Sequence, residues 1–406
     1  MKYLILVGDG MGDYPIPELD GKTVLEVAST PAMDELCRKG EFFLNHTVPE
    51  GFPPGSDVAN MSLMGYDPAL YYTGRAPLEA VSMGINLASD EIAFRCNLVT
   101  LDKSDDGRIT MRDFSAGHIN SEESHQIIDT LETECSTEQF HFKPGISYRH
   151  LMIFKGTHPG ITTVPPHDYI EKDVTLHYQN YLTLPELQHL LEKSESILAR
   201  HPVNLQRIKE GKNPATHFWL WGEGKMVNAP TLMERFQISG SMISAVDLLK
   251  GLGIVADLSV IDVDGATGDI NTNYEGKAQA AVDALVDQDF VFVHLEAPDE
   301  AGHQGSLPDK IRAIEDFDAR IVQPIVDHLR DQQEDFRVVV TMDHFTPLSL
   351  RTHVSDPVPT LLYDSREHLR GSGQVFCEKS CIEYDQKQNN AIARGYTMID
   401  KLLERQ

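Results

Sequence analysis

Three short apolar runs, one at the start of the chain and two toward its end, each stop abruptly at acidic and imidazole side chains. YLILVG (3–8) leads into Asp9-Gly10-Met11-Gly12-Asp13, and FVFVHLEA (290–297) into Pro298-Asp299-Glu300-Ala301-Gly302-His303. RVVVTM (337–342) leads into Asp343-His344, with His353 further on. Unbroken apolar runs of this length are strands buried on both faces, the kind a parallel sheet covered by helices needs. In such α/β sheets ligands bind outside the carboxyl ends of the strands. The pattern therefore predicts an α/β domain with a central, mostly parallel sheet, helices on both faces, and acids and imidazoles collected along one edge. Asp299 and His303 stand at i, i+4 spacing, which puts them on one helical turn. GDGMG is no nucleotide fingerprint, since the GxGxxG spacing and the following helix start are absent.

Singly, each of these features is ordinary. Asp9 is equally a turn carboxylate, and an Asp-His pair after a strand is more often structural than chemical. What changes the balance is Ser56. It sits in FPPGSDVANMSLMGYD (52–67), where two prolines and a glycine set a sharp turn ahead of a helix from about 57 to 65. A serine there is ordinarily an N-cap, and alternatively a displayed nucleophile. Asp9, Ser56, Asp299, His303, Asp343, His344 and His353 together supply enough oxygen and nitrogen ligands for two divalent cations. Such a pair can clamp a phosphoryl group and lower the pKa of a serine hydroxyl. A mixed nitrogen and oxygen set suits Mn²⁺, expected first, or Zn²⁺ or Co²⁺, better than Mg²⁺.

The texture changes from about residue 88. Short strand-like runs (IAFRCNLVTL, ISYRHLMIF) and polar helices near 121–134 predict a smaller α+β domain inserted at 88–184, leaving 1–87 and 185–406 as a discontinuous core. Residues 70–86 read as irregular, 240–252 as helical, and HFWLWG as a strand of the returning core layer. The insert carries Arg95, His118, Arg149, His150, His158 and His167. Arginine suits bidentate recognition of phosphate or carboxylate, whereas most of the histidines read as surface or structural. Arg75 in YTGRAP faces either an anionic substrate or solvent.

The net charge of −27 excludes nucleic acid as a partner, because phosphates need a basic face. No run of apolar residues is long enough to span a membrane. Five scattered cysteines, Cys37, Cys96, Cys135, Cys377 and Cys381, fit reduced thiols and a cytoplasmic setting rather than a disulfide framework.

Ten segments resemble one family in order and spacing: VGDGMGD, PPGSDVANMSLMGYDP, YTGRAPLEA, DFSAGHI, GISYRH, NPATHFWLWGEGK, GATGDINTNYEGKA, HLEAPDEAGHQG, AIEDFDARIV and DHFTPLSLRTHVSDPVP. The family is the archaeal-type, cofactor-independent phosphoglycerate mutases of the alkaline phosphatase superfamily, and the resemblance runs from residue 1 to about 363. It implies an alkaline-phosphatase-like core. It implies one metal on Asp9, Ser56, Asp343 and His344, a second on Asp299, His303 and His353, and a phosphorylated Ser56. It implies interconversion of 3-phosphoglycerate and 2-phosphoglycerate with no 2,3-bisphosphoglycerate, and substrate contacts at His118, Arg149, Arg95, Arg75 and Lys225. The chain departs from the family at Met342 and Phe345, where a small residue and a serine are usual. The alternatives are a metal-dependent phosphatase or a phosphotransferase acting on another small phosphorylated metabolite, or a binding protein that kept the fold and lost activity.

Overall fold

The structure, a computed structural model, describes residues 1–157, 160–366 and 368–404. His158 lies outside the described residues. The strands are β1 (Lys2–Gly8), β2 (Glu41–Asn45), β3 (Glu91–Lys103), β4 (Ile109–Asp113), β5 (Phe140–Lys143) and β6 (Arg149–Lys155). They continue as β7 (His217–Gly224), β8 (Gly240–Ile243), β9 (Ser259–Val260), β10 (Phe290–Leu295), β11 (Phe336–Thr341) and β12 (Val358–Asp364). The chain forms two compact units, Met1–Tyr72 with Asn228–Gln406, and Thr73–Val227.

The first unit holds a sheet in the order β2-β12-β11-β1-β10-β8-β9. β11, β1, β10, β8 and β9 are mutually parallel, and β12 joins β11 antiparallel, followed by β2 antiparallel to β12. The expected mostly parallel α/β sheet is present, and both of its faces are covered. Adjacent residues such as Leu4 and Ile5, or Val338 and Val339, are equally inaccessible although their side chains point to opposite faces. Each such burial contributes about 1.5–3 kcal/mol relative to exposure. The helix Pro31–Lys39 contributes Met33 and Leu36, Tyr274–Asp287 contributes Ala281 and Leu285, and Leu307–Phe317 contributes Ile314 and Phe317 to the core over one face. Register then fixes the functional edge. Val7 pairs with His294 on one side and Thr341 on the other, so Asp9 and Asp343 emerge together just beyond the sheet.

The second unit is built on an antiparallel sheet, β4-β3-β6-β5, with β7 also paired antiparallel to β3. It is larger than the insert expected at 88–184. β7 pairs with β3 from His217 to Gly224, and the helix Pro185–Leu198 buries Leu187, Leu190 and Leu191 in this unit's core. HFWLWG is therefore a strand, as read, but it belongs to this sheet rather than to the core layer. Two local readings also change. Residues 75–82 form a helix instead of an irregular stretch, entered through Gly74 at φ 144°, where a Cβ would lie 2.0 Å from the Glu223 carbonyl oxygen. Residues 240–243 form β8, and the helix follows at Asp247–Val255.

No helix among the described residues is long and apolar enough to cross a membrane. The five cysteines are unpaired and buried.

Candidate active site

Ser56 is not an N-cap. Gly55 takes that position and gives the helix Ser56–Leu63 no side-chain cap, which leaves the Ser56 hydroxyl for another partner. That partner is Nε2 of His344, 3.2 Å away. The helix is buried along its whole length, and one turn after Ser56 its Asn60 donates both to the Ser56 carbonyl at 2.8 Å and to Oδ2 of Asp343 at 2.9 Å. The serine is thus keyed by its own helix to the acidic edge of the sheet.

The predicted ligands converge there. Asp9, Asp343 and His344 are almost inaccessible, and His344 Nε2 lies 3.6 Å from Asp9 Oδ1 and 3.4 Å from Asp343 Oδ2. Asp299 and His303 lie on the helix Ala297–Gln304, with Oδ2 and Nε2 3.2 Å apart, and His353 Nε2 approaches Asp299 Oδ1 at 3.4 Å. The His344 and His353 rings stack with centroids 3.9 Å apart.

Two features show that this donor set suits cations. His303 Nδ1 donates to the Arg351 carbonyl at 3.0 Å and His353 Nδ1 to the Pro54 carbonyl at 2.8 Å, which leaves Nε2 of each ring as the lone-pair nitrogen. Those two nitrogens face each other at 2.9 Å beside the Asp299 carboxylate. Two acceptors at that distance need a shared proton or a cation between them. Second, Asp9 Oδ1 is buried without a hydrogen-bond partner, a cost normally avoided unless another species satisfies it, and buried His294 Nε2 has Asp9 Oδ2 beside it at 3.2 Å. Asp299, His344 and His353 form one group spaced for a metal, and Asp9, His294 and Asp343 another.

The proton balance reflects the same crowding. Burial, with Asp343 and Asp299 nearby, holds the Asp9 carboxyl well above its usual range. Burial also pushes Asp299 upward, but hydrogen bonds and charge from His303 and His353 overcome it and leave this carboxyl well below normal. Burial lowers His303, yet its bond to Asp299 lifts the ring to about 9. Burial lowers His344 and His294 to about 4, so both rings are neutral at pH 7. A divalent cation bound here would displace the proton of His303.

His294, Thr346 and Asn60 escaped the sequence reading. Thr346 Oγ1 donates to Asp299 Oδ1 and lies 3.4 Å from His344 Nδ1. A histidine inside the apolar run FVFVHL, and an asparagine one turn after Ser56, were the available signals. The family departures are accommodated locally. Phe345 packs so closely on Gly12 that a Cβ there would sit 2.1 Å from its ring, and Met342 is fully buried in the core.

In the second unit the expected substrate residues gather around aromatic rings. The Arg95 guanidinium lies 4.1 Å over Trp221 and that of Arg75 6.0 Å from the same ring. Glu79 pairs with Arg95 at 3.0 Å and approaches Arg75 at 3.9 Å. Burial lowers Arg95 to about 10, with Glu79 opposing the shift, so it stays charged. Trp221 is held by its Nε1 bond to Asn97 at 3.0 Å and meets His167 at 5.3 Å. His167 in turn lies 6.2 Å from Phe114, which packs on Tyr148 and His118, and Arg149 lies 5.7 Å over Tyr148. Lys225 is exposed and lines a cavity with Thr73, Ile92, Glu223 and Gly224. His150 is structural: it is buried, lowered to about 3 by that burial, and accepts from Gly145 N at 3.0 Å.

A profile of the 2,3-bisphosphoglycerate-independent phosphoglycerate mutase family matches residues 37–204. A Methanosarcina barkeri protein named as such a mutase is 52% identical over 94% of this chain and 94% of its own length. A Geobacter sulfurreducens protein named as a probable one is 45% identical over all of both chains. Among solved structures, a Pyrococcus horikoshii protein superposes with a TM-score of 0.80 at 30% identity, covering 100% of this chain and 98% of that one. The cofactor-independent phosphoglycerate mutase of Thermoplasma acidophilum does so at 0.62 and 28% identity, covering 100% and 99%.

Proposed function

The chain belongs to the 2,3-bisphosphoglycerate-independent phosphoglycerate mutases, and on that premise we propose that it carries the phosphoryl group on Ser56 between the two hydroxyls of glycerate. The enzyme is an isomerase acting on phosphoglycerate, with no 2,3-bisphosphoglycerate required. The supporting observation is the Ser56 hydroxyl, 3.2 Å from the neutral Nε2 of His344 beside the buried carboxylates Asp9 and Asp343.

Asp9, Ser56, Asp343 and His344 would hold one divalent cation, and Asp299, His303 and His353 the other, with His294 3.2 Å from Asp9 and His344 also within reach of the second site. Cations bound there, Mn²⁺ first, supply positive charge for the phosphoryl oxygens and favour the ionised serine. Ser56 Oγ forms a bond to phosphorus, the bond to the glycerate oxygen breaks, and that oxygen takes a proton. In the return step the other glycerate hydroxyl gives up its proton, bonds to phosphorus, and Ser56 regains its own. Protons and charge therefore balance over the cycle.

Between the two steps glycerate must stay bound while water is kept from the phosphoserine. Arg95, Arg149 and Arg75 are assigned to the glycerate carboxylate, where a guanidinium makes two parallel bonds, with Lys225 as a further cation. His118 is assigned to the phosphoryl group. The cytoplasm suits five unpaired thiols. The test is a rapid quench of enzyme with 3-phosphoglycerate, followed by peptide mass analysis. Phosphate on the Ser56 peptide, absent in Ser56→Ala, supports the route. A fully active Ser56→Ala enzyme overturns it.

A further inference from the structure

The helix Leu307–Phe317 carries its buried stripe at Lys310, Ala313, Ile314 and Phe317. A lysine at the first position of an apolar stripe is anomalous, because removing an ammonium from water costs several kcal/mol unless it is fully paired. Lys310 is completely inaccessible, and its Nζ has three acceptors: Asp13 Oδ2 at 3.0 Å, the Gly12 carbonyl at 3.0 Å and the Thr346 carbonyl at 2.8 Å. An ammonium has three N–H bonds, and each has an oxygen. Burial lowers the lysine, but Asp13 beside it opposes the shift.

The identity of those acceptors matters more than their number. Gly12 lies in the segment that carries Asp9, and Thr346 in the segment that carries Asp343 and His344. Thr346 also donates to Asp299, and the helix bearing Asp299 and His303 ends just before Lys310's own helix. The three segments pack without slack. A Cβ on Gly10 would lie 2.6 Å from Thr346 Oγ1 and 2.7 Å from Asp299 Oδ1, and one on Gly302 would lie 2.6 Å from the Thr346 carbonyl oxygen. Asp13 is itself clamped. Its oxygens accept from Tyr14 N at 2.9 Å and Leu348 N at 3.2 Å. Its own N–H donates at 3.0 Å to buried Glu378, which also takes the Thr23 hydroxyl at 2.6 Å.

We propose that Lys310 is a built-in cation of the metal centre, a positioning residue that ties the Asp9 segment to the Asp343–His344 segment so that the ligands stand assembled before metal binds. It touches no ligand side chain and no substrate, and acts only through Gly12, Asp13 and Thr346. The C-terminal region is drawn into the same device through Glu378.

This inference rests on the metal-site reading above, and the test separates the two. Chelator-stripped full-length protein is titrated with Mn²⁺ by calorimetry and by loss of the free-ion paramagnetic resonance signal. Lys310→Met keeps the length of the side chain and removes its charge. The expected result is a cooperative melt, Mn²⁺ affinity weakened about 10- to 100-fold, as when groups that orient metal ligands are removed, and an unchanged KM for 3-phosphoglycerate at saturating Mn²⁺. Affinity within about twofold of the parent overturns the inference. If Lys310→Met does not fold, Asp13→Asn decides: at least about fivefold weaker binding sustains the proposal, and unchanged binding overturns it. A parent protein that binds no Mn²⁺ sinks the metal-site reading itself.

Discussion

The two units assemble their functional side chains by different means. In the first, Asp9, Asp299, Asp343 and His344 sit within a few residues of a strand end, and the parallel register of β11, β1 and β10 delivers Asp9, Asp343 and the Asp299 helix to one edge, where the Ser56 helix and the His353 loop join them. In the second, Arg95 and Trp221 meet because β3 and β7 pair with Arg95 opposite Trp221, Arg75 comes from a helix, and His118 from a strained turn. That turn holds three successive left-handed residues, Ala116 at φ 48°, Gly117 at 68° and His118 at 48°. Each non-glycine there costs about 1–2 kcal/mol. Asp113 and Arg207 sustain it: Asp113 accepts from Ser115 N and Gly117 N, both at 2.8 Å, and Arg207 donates to the Ala116 and Gly117 carbonyls at 2.5 and 3.2 Å. In the first unit strand register sets the frame, and a few side chains such as Asn60 and Thr346 complete it. The residues proposed for substrate in the second unit are side chains held by other side chains.

That contrast breaks first at Ser56. Ser56→Ala should lower mutase turnover at least about a thousandfold, the scale on which a nucleophile acts, and loss of less than tenfold would mean that the rigid centre is not where chemistry occurs. Next, Asp299→Asn should weaken Mn²⁺ binding more than about 100-fold, beyond the effect of an outer-sphere change, as read by calorimetry.

Glu378 sharpens the picture through pH. Its burial lifts the carboxyl from 4.5 to about 7. Between those values the folded chain holds a proton that the unfolded chain releases, so this residue's stabilisation is complete below 4.5 and lost as pH rises through about 7. Glu378→Gln should therefore gain stability relative to the parent between pH 5 and pH 8, on the order of 3 kcal/mol, in denaturant titrations at each pH. A difference that does not vary with pH would show that Glu378 does not titrate in this range. The smallest effect belongs to the second unit. Asp113→Asn should relax the His118 turn and lower mutase turnover about tenfold, the equivalent of one lost hydrogen bond to a charged group, while Mn²⁺ affinity stays unchanged. A fall in affinity would show that the two sites are not independent.

The first site was legible because strand ends are legible. An apolar run that stops at Asp or His reports both its strand and its edge, so Asp9, Asp299, His303, Asp343 and His344 are placed by the sequence pattern itself. Ser56 was ambiguous until Gly55 proved to be the cap. The extent of the second unit was not legible. β7 looks like any apolar strand, and only its pairing with β3 assigns it. Gly74 and Pro77 disguised a helix as a loop, and the four residues of β8 merged with the helix that follows. Lys310 and His294 were visible as polar residues in apolar patterns, but their partners lie on distant segments that no local pattern connects.

The most direct measurement uses chelator-stripped enzyme given Mn²⁺ and 3-phosphoglycerate, with no 2,3-bisphosphoglycerate, while 2-phosphoglycerate and free phosphate are followed together. The expected result is metal-dependent 2-phosphoglycerate with little phosphate, because glycerate is retained until it turns. Phosphate as the main product, with the metals demonstrably bound, would contradict it, since water would then reach the Ser56 phosphoserine before glycerate does.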